Sequence, residues 1–321
     1  MNNRTIAVYY EHPTWFRPLF EELENRGLPY YEIRADQEVF DPAMLPDPST
    51  LVLNRMSPSA WERGNDGAVF FTTHYLQHLE AHGVEVLNGA DAFRLDVSKG
   101  AQMALLQRLG LPVPRTRIVY SAAQLPLAAR SLEFPLLVKP NMGGNGAGIQ
   151  RFDHIDDLEA AVEEGILVTG PDGIFLLQEY HPPKGGSIVR AETLEGRFLY
   201  GIRLHIGEMR SFSICPADVC SMVSGESLET NARRGKGNQA TVEGFTPSPL
   251  VVREIERIAA AARMDVGGVE YLESERDGRR YYYDVNVLSN FIADPVKVVG
   301  FDPTAALVDS LEARVAMPLA A

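Results

Sequence analysis

Two carboxylates and an amide offer the first recognisable chemistry. Asp284 and Asn286 stand two residues apart in RRYYYDVNVL, residues 279–288, so on a strand both side chains leave the same face. Glu270, in the run GGVEYLE at 267–273, meets them if the two runs pair across the turn residues Asp277 and Gly278. Glu270, Asp284 and Asn286 then form a hard oxygen cluster of the kind that suits Mg²⁺, with water and phosphate oxygens completing its shell. The alternative is a surface hairpin whose acids are merely solvated. A run as apolar as YYYDVNVLSNF favours burial, where idle polar groups are costly.

A second candidate is PLLVKPNMGGNGAGIQRF, residues 135–152. Its loop, with Gly143, Gly144, Asn145, Gly146 and Gly148, lets backbone N–H groups approach phosphate oxygens without Cβ interference, and Lys139 beside it would neutralise phosphate charge. GGNGAG lacks the GK[ST] ending of a P-loop and does not lead into a helix as a Rossmann fingerprint does. It is either a mobile hairpin cover for phosphates or a plain turn between strands. Lys139, set between Val138 and Pro140 with no packing role evident, favours the cover.

The elements that must position these residues alternate along the chain. TIAVYY (5–10), YYEIRA (30–35), LVLNRM (51–56) and VEVLN (84–88) are expected strands. Phe16, Leu19, Phe20 and Leu23 fall at helical spacing before Gly27, and a further helix is expected over 72–82. Strand and helix in turn predict a small parallel sheet. SKGAQMALLQRLG (98–110) forms a helix, LPVP breaks it, and the strands RTRIVY (115–120) and IFLLQEY (174–180) flank the glycine loop and a helix over 156–164. SIVRAETL and RFLYGIRLHI pair across Glu195 and Gly196. Ser248 and Pro249 suit the start of the helix SPLVVREIERIAAAARM. The expected fold class is α/β (α+β), with units at 1–95, 96–182 and 183–321.

Composition narrows the partners. The chain has 321 residues, 45% hydrophobic and 23% charged, with a net charge of −13; this is a soluble globular profile whose surface repels nucleic acid and anionic membrane. No apolar run approaches the roughly 20 residues of a membrane span, and no secretory signal stands at the N-terminus. Cys215 and Cys220 are the only cysteines, too few for a disulfide framework. A cytoplasmic protein is expected.

In order and spacing the motifs NRMSPS, Lys99 at a helix start, LGLPVPRT, FPLLVKP, GGNGAGI, LLQEY, Arg190, TNARRGKG, VGGVEYL and DVN resemble those of ATP-grasp ligases, in the branch of the ribosomal protein S6 glutamate ligase and the carrier-protein ligases of lysine biosynthesis. The resemblance covers about Asn54 to Asn290. It implies an ATP-grasp fold in which ATP lies between the central and C-terminal units, held with Mg²⁺, usually a pair of ions, with Mn²⁺ as an alternative. It assigns Lys99 and Lys139 to phosphates under the glycine loop, and the backbone of Gln178, Glu179 and Tyr180 to adenine. Arg190, Arg203 and Asn231, with Arg234 as a lesser candidate, would face the transferred or acyl phosphate. Glu270, Asp284 and Asn286 would hold metal.

The implied reaction joins a carboxylate to an amine, with an amino acid the preferred amine, through an acyl phosphate. A protein or carrier-protein carboxylate is an alternative substrate, a homo-oligomer is compatible, and a non-catalytic ATP-binding regulator is a further alternative. The chain departs from the family pattern at Ile188, where relatives carry a ribose-binding acid; either Ser187 or Glu192 substitutes for it or ribose binding is looser. It departs again at Asp284 in place of Glu, in VLSNF after Asn286, and in the long stretch 205–227. These departures fall where an acceptor would bind.

Other features carry plainer alternatives. Asn54, Arg55 and Ser57 end a strand of an open sheet, where ligand-facing residues gather. Ser289 and Asn290 either line a substrate site or cap a helix. Asp218 is a candidate for the substrate amine. Cys215 and Cys220 are small core residues rather than zinc ligands, and His74 and His78 lack the glutamate of a zinc motif.

Overall fold

The computed structural model describes residues 4–144, 146–206 and 241–317; among these the chain forms three sheets. The first is parallel, in the order β2-β1-β3-β4, from β1 (Thr5–Tyr10), β2 (Tyr30–Arg34), β3 (Thr50–Arg55) and β4 (Glu85–Leu87). Parallel strands need crossovers, and α1 (Arg17–Asn25) and α2 (Asp66–Ala81) supply them. α2 begins six residues before the expected start at 72, because its buried stripe already runs from Val69 through Thr72 and Leu76 to Leu79.

α3 (Ala90–Asp96) and α4 (Lys99–Arg108) lead to the second sheet. It is antiparallel, β5-β8-β6-β7, built from β5 (Thr116–Val119), β6 (Leu136–Pro140), β7 (Gln150–Phe152) and β8 (Phe175–Glu179). α5 (Leu125–Ala129) and α6 (Ile155–Glu163) cover one face through Leu125 and Leu158, both fully buried.

The third sheet runs β11-β10-β9-β12-β13, from β9 (Ser187–Leu194), β10 (Arg197–His205), β11 (Thr241–Gly244), β12 (Val266–Glu273) and β13 (Arg280–Asn286). The expected hairpin joins β9 to β10, with Glu195 at φ 53° and Gly196 at φ 72°, the pair of positive values that a type I′ turn requires. α7 (Pro249–Ala261) follows, with Pro249 in its first turn; Ser248 sits at the cap position without a side-chain hydrogen bond. α8 (Pro295–Val299) and α9 (Pro303–Ala316) complete the chain. Among the described residues no helix is long and apolar enough to cross a membrane.

The two faces of this third sheet differ. Val189, Ala191, Val269, Tyr282 and Val285 pack against Val251, Ile255 and Ile258 of α7. Ile188, Tyr200, Ile202 and Leu204 form a smaller cluster on the other side, together with the charged residues described below. β13 ends at Asn286 rather than continuing to residue 288, because Asp96 accepts the backbone N–H of Val287 (2.8 Å) and of Leu288 (3.3 Å), taking both out of the ladder. Asn88, fully buried, joins the first sheet to the third. Its amide donates to the carbonyls of Val266 (2.6 Å) and Val287 (2.9 Å) and accepts from the N–H groups of Asp265 and Val266.

Candidate functional site

A cleft between the second and third sheets gathers most of the residues singled out above. Lys99, Lys139, Gly143, Gly144, Gly146, Gln178, Glu179, Tyr180, Arg190, Glu270, Asp284 and Asn286 all line it. Local geometry explains how each arrives. Ser98 caps α4 by accepting the N–H of Ala101, which puts Lys99 on the first turn. Lys99 then donates to Asp284 Oδ1 at 2.5 Å. Asn141, two residues beyond Lys139, accepts through Oδ1 from Ser98 Oγ (3.2 Å) and Gly100 N–H (2.8 Å), while its carbonyl accepts from Lys99 N–H. One asparagine therefore locks the two lysine-bearing elements together. Gly100 permits this approach, since a Cβ there would lie 2.9 Å from Ile118 Cδ1. Gly148 carries the loop back over Pro140 at φ +70°, where a Cβ would come within 2.8 Å of the proline ring.

Lys139 is buried, donating to Gln178 Oε1 at 2.6 Å and facing the ring of Tyr283 at 5.7 Å. Burial, and then the Lys99 charge, push its pKa down to about 8. Lys99 shows the opposite balance: burial opposes its charge, yet Asp284 outweighs burial and holds it above its ordinary value. Burial likewise pulls against the Asp284 carboxylate, but Lys99, Lys139 and Arg190 keep it below the usual range. Glu270 is raised by burial despite Arg190.

Strand pairing confirms the expected meeting of acids: Glu270 stands directly opposite Asp284, and Asn286 opposite Gly268. The Asn286 amide nitrogen lies 3.5 Å from Glu270 Oε1, which leaves its carbonyl oxygen as the third hard donor. Among the described residues no three His, Cys, Asp or Glu side chains converge on one point; the set is two carboxylates and an amide. Lys99 pairs with Asp284 and Arg190 with Glu270, and a donor set made only of oxygen fits Mg²⁺.

Of the cations lining the cleft, Arg190 has the most hydrogen-bond partners. It donates to Glu192 Oε1 (2.6 Å), Glu270 Oε1 (3.1 Å) and Ser289 Oγ (2.9 Å). Glu192 is turned into this ion pair and Ser187 donates to the Lys184 carbonyl; neither is among the residues lining the cleft. Ile188 instead joins Leu137, Ile149, Leu204, Ile206 and Leu272 as an apolar wall suited to a flat ring.

Not every expected site residue lines the cleft. Arg203 lies on the wrong face. It pairs in register with Val189, whose side chain packs toward α7, while Arg190 pairs with Ile202. Arg203 donates to Glu243 (3.2 Å) and stacks over Phe245 (4.0 Å). Asn54 and Ser57 are occupied by backbone: Asn54 donates to the Asn88 carbonyl and accepts Met56 N–H, and Ser57 caps a short 3₁₀ turn through Ser59 N–H. The Gln178 and Glu179 side chains accept from Lys139 and Arg115 respectively, and the N–H groups of Glu179 and Tyr180 donate to the carbonyls of Arg115 and Pro135. Ser289 is fully buried and caps no helix, and the next helix takes Asp294 as its cap position. Asn145, Asp218, Asn231, Arg234, Cys215 and Cys220 lie outside the described residues.

Tyr283 was missed by the sequence reading. A register shift between Glu270 and Tyr271 inserts an extra residue in β13, so Tyr283 and Asp284 both reach the cleft although consecutive residues of a regular strand alternate. Tyr282 goes to the other face, where its hydroxyl donates to Glu254 at 2.7 Å. Nothing in the pattern YYYD marks a bulge.

No family model matches the sequence. Over 216 residues the chain is 28% identical to the carbamoyl phosphate synthase large chain of Brucella suis, covering 65% of this chain and 18% of that one. It thus spans under a fifth of that relative's length. A probable alpha-L-glutamate ligase of Aeromonas salmonicida is 26% identical over 210 residues, covering 64% of this chain and 62% of that one. Among solved structures, the ATP-grasp ligase PsnB complexed with a minimal precursor superposes at TM-score 0.66 and 18% identity, over 97% of this chain and 99% of that chain. PsnB is also known with that precursor, Mg and ADP, at TM-score 0.64.

Proposed function

This chain has the ATP-grasp fold, and from that premise we propose that it is an ATP- and Mg²⁺-dependent ligase joining a carboxylate to an amine. The observation that carries the reading is the Lys99–Asp284 contact inside a cleft that also holds Lys139, Arg190, Glu270 and the glycine loop. Opposed cations and carboxylates beside an apolar slot match a nucleotide triphosphate with its counter-ion, and match little else of that size.

The apolar wall around Ile188 takes the adenine, with the Gln178–Tyr180 segment lining the slot beside it. Lys99 and Lys139 neutralise phosphate oxygens, and the N–H groups of the glycine loop close over them. Glu270, Asp284 and Asn286 would hold Mg²⁺, which when bound would supply further neutralisation of phosphate charge. A substrate carboxylate oxygen attacks the γ-phosphorus, the β–γ bridging bond breaks, and ADP leaves. Arg190 stabilises charge on the resulting acyl phosphate. An amine then forms the C–N bond, inorganic phosphate departs with the electrons of the C–O bond, and the amine gives up a proton. Positioning and charge neutralisation do the work, so no serine or cysteine nucleophile is called for.

The test is ADP and phosphate release measured against a panel of amino acids and small carboxylates, with hydroxylamine added to trap the acyl phosphate as a hydroxamate. Release that depends on a carboxylate, with hydroxamate formed, supports the ligase. Tight ATP binding with no release under any substrate would mean a nucleotide-sensing protein instead. A peptide or protein carboxylate is the second reading, favoured by a PsnB complex with the precursor peptide PsnA2; a peptide arm in the same panel separates the two.

A further inference from the structure

Arg55 ends β3 of the first sheet and is buried. With Asn290 it lines a separate cavity that shares no lining residue with the cleft, so Arg55 touches nothing bound in the cleft. Among the described residues its Nη2 donates to the Ser289 carbonyl, while buried Nε and Nη1 have no hydrogen-bond partner. Burial lowers its pKa to about 10, and Glu192, then Asp96, are the charges that oppose that fall. Arg55 is therefore a cation at neutral pH, and its strongest anionic neighbour is Glu192.

Glu192 carries the complementary imbalance. It stands two residues from Arg190 on β9, so both side chains leave the same face. Oε1 accepts from Arg190 at 2.6 Å, while Oε2 is buried with no hydrogen-bond partner among the described residues. Gly268 makes room for the carboxylate, since a Cβ there would lie 2.9 Å from either oxygen. A buried carboxylate bonded on one side only is costly unless a second cation supports it. Arg55 is that cation, brought from another sheet and held over the Phe16 ring at 5.4 Å. Ser289, fully buried, joins the two arginines: its carbonyl accepts from Arg55 and its hydroxyl from Arg190. Two cations therefore share one carboxylate. If Arg190 faced Glu192 and Glu270 alone, two negative charges would absorb its one positive charge, and little would be left for a phosphate in the cleft.

We propose that Arg55 is a positioning residue for Arg190: it neutralises Glu192 from the first sheet and so leaves the Arg190 charge available to the phosphate being transferred. The assignment deepens the ligase reading and rests on it for the step affected, whereas the charge sharing itself is read without turnover.

A double-mutant cycle on the full chain tests it, comparing the parent, Arg55→Gln, Glu192→Gln and the double variant by kcat, KM for ATP and thermal midpoint. Arg55→Gln should lower kcat by about tenfold or more and change KM for ATP by less than about threefold, since Lys99, Lys139 and the glycine loop carry the nucleotide in that reading. Adding Glu192→Gln should recover most of the lost kcat and midpoint, because the surplus negative charge is gone. A packing role alone predicts the opposite, a second substitution that adds damage. Arg55→Lys keeps the charge and should stay within about threefold of the parent in kcat. If Arg55→Gln does not fold, the double variant should, and its failure to fold would overturn the proposal. So would Arg55→Gln with the parental kcat, a double variant no faster than Arg55→Gln, or Arg55→Lys as slow as Arg55→Gln. Midpoint recovery in the double variant without ADP release from any chain would sink the ligase reading alone; ADP release with a kcat indifferent to Arg55→Gln would sink this one alone.

Discussion

Arg190 and Arg203 occupy neighbouring strands of one sheet, yet they inhabit different worlds. Arg190, opposite Ile202, is buried among Glu192, Glu270 and Ser289. Arg203, opposite Val189, sits on the helix-packed side, paired with Glu243 and stacked on Phe245. The difference is one residue of parity: on a pleated strand every second side chain changes face. A charge on the cleft side joins a network whose members are costly to leave unpaired, whereas a charge on the rim is a surface ion pair worth roughly 0–1 kcal/mol.

That contrast can be broken in several ways. Arg190→Ala should have the largest effect, stranding Glu192 and Glu270 without their shared cation. A loss of about 3–5 kcal/mol in stability is expected, read as a fall in thermal midpoint, together with loss of turnover. A midpoint within a degree of the parent would show the network to be loosely coupled. Asp284→Asn comes next. It keeps the shape but removes the charge that holds Lys99 and, in the proposed reading, the ion, and should lower kcat by about 10²–10³ while nucleotide affinity falls less.

The pH dependence is smaller and has a definite sign. Lys139 has a folded pKa of about 8, below the 10.5 of the free side chain, so the folded protein releases that proton first. Nucleotide affinity should weaken as pH rises through about 8, and Lys139→Arg should move that loss to higher pH. Because the unfolded chain keeps the proton up to about 10.5, stability should rise with pH between those values, a slope that Lys139→Met removes. Denaturant titrations at pH 7.5, 9 and 10 would check it. Arg203→Ala should do least, changing turnover by less than about threefold and stability by under about 1 kcal/mol; a hundredfold loss of kcat would put Arg203 in the cleft after all.

How much of this was legible beforehand depends on the range of the interaction. The strand parity of Asp284 and Asn286, the glycine hairpin and the Glu195–Gly196 turn are local consequences of backbone geometry, and all three could be taken from short windows. Lys99 carries no such signal: a lysine at a helix start is ordinary, and only the resemblance singled it out. Asn141, Asp96 and Asn88 passed unnoticed because their partners lie 43 residues away at Ser98, 191 at Val287 and 178 at Val266. Tyr283 was hidden by a bulge, and Arg203 was placed by motif where parity should have been counted.

The sequence alone determined which residues could form strands, which glycines could turn, and that Asp284 and Asn286 would share one face, because those properties follow from dihedral preferences and a two-residue repeat. Only the tertiary structure decided which face each strand turns to the cleft, where the ladder slips by one residue, and that Arg55 would be buried with donors to spare. Those outcomes depend on contacts between segments far apart in the chain, where burial rather than local propensity sets the energy.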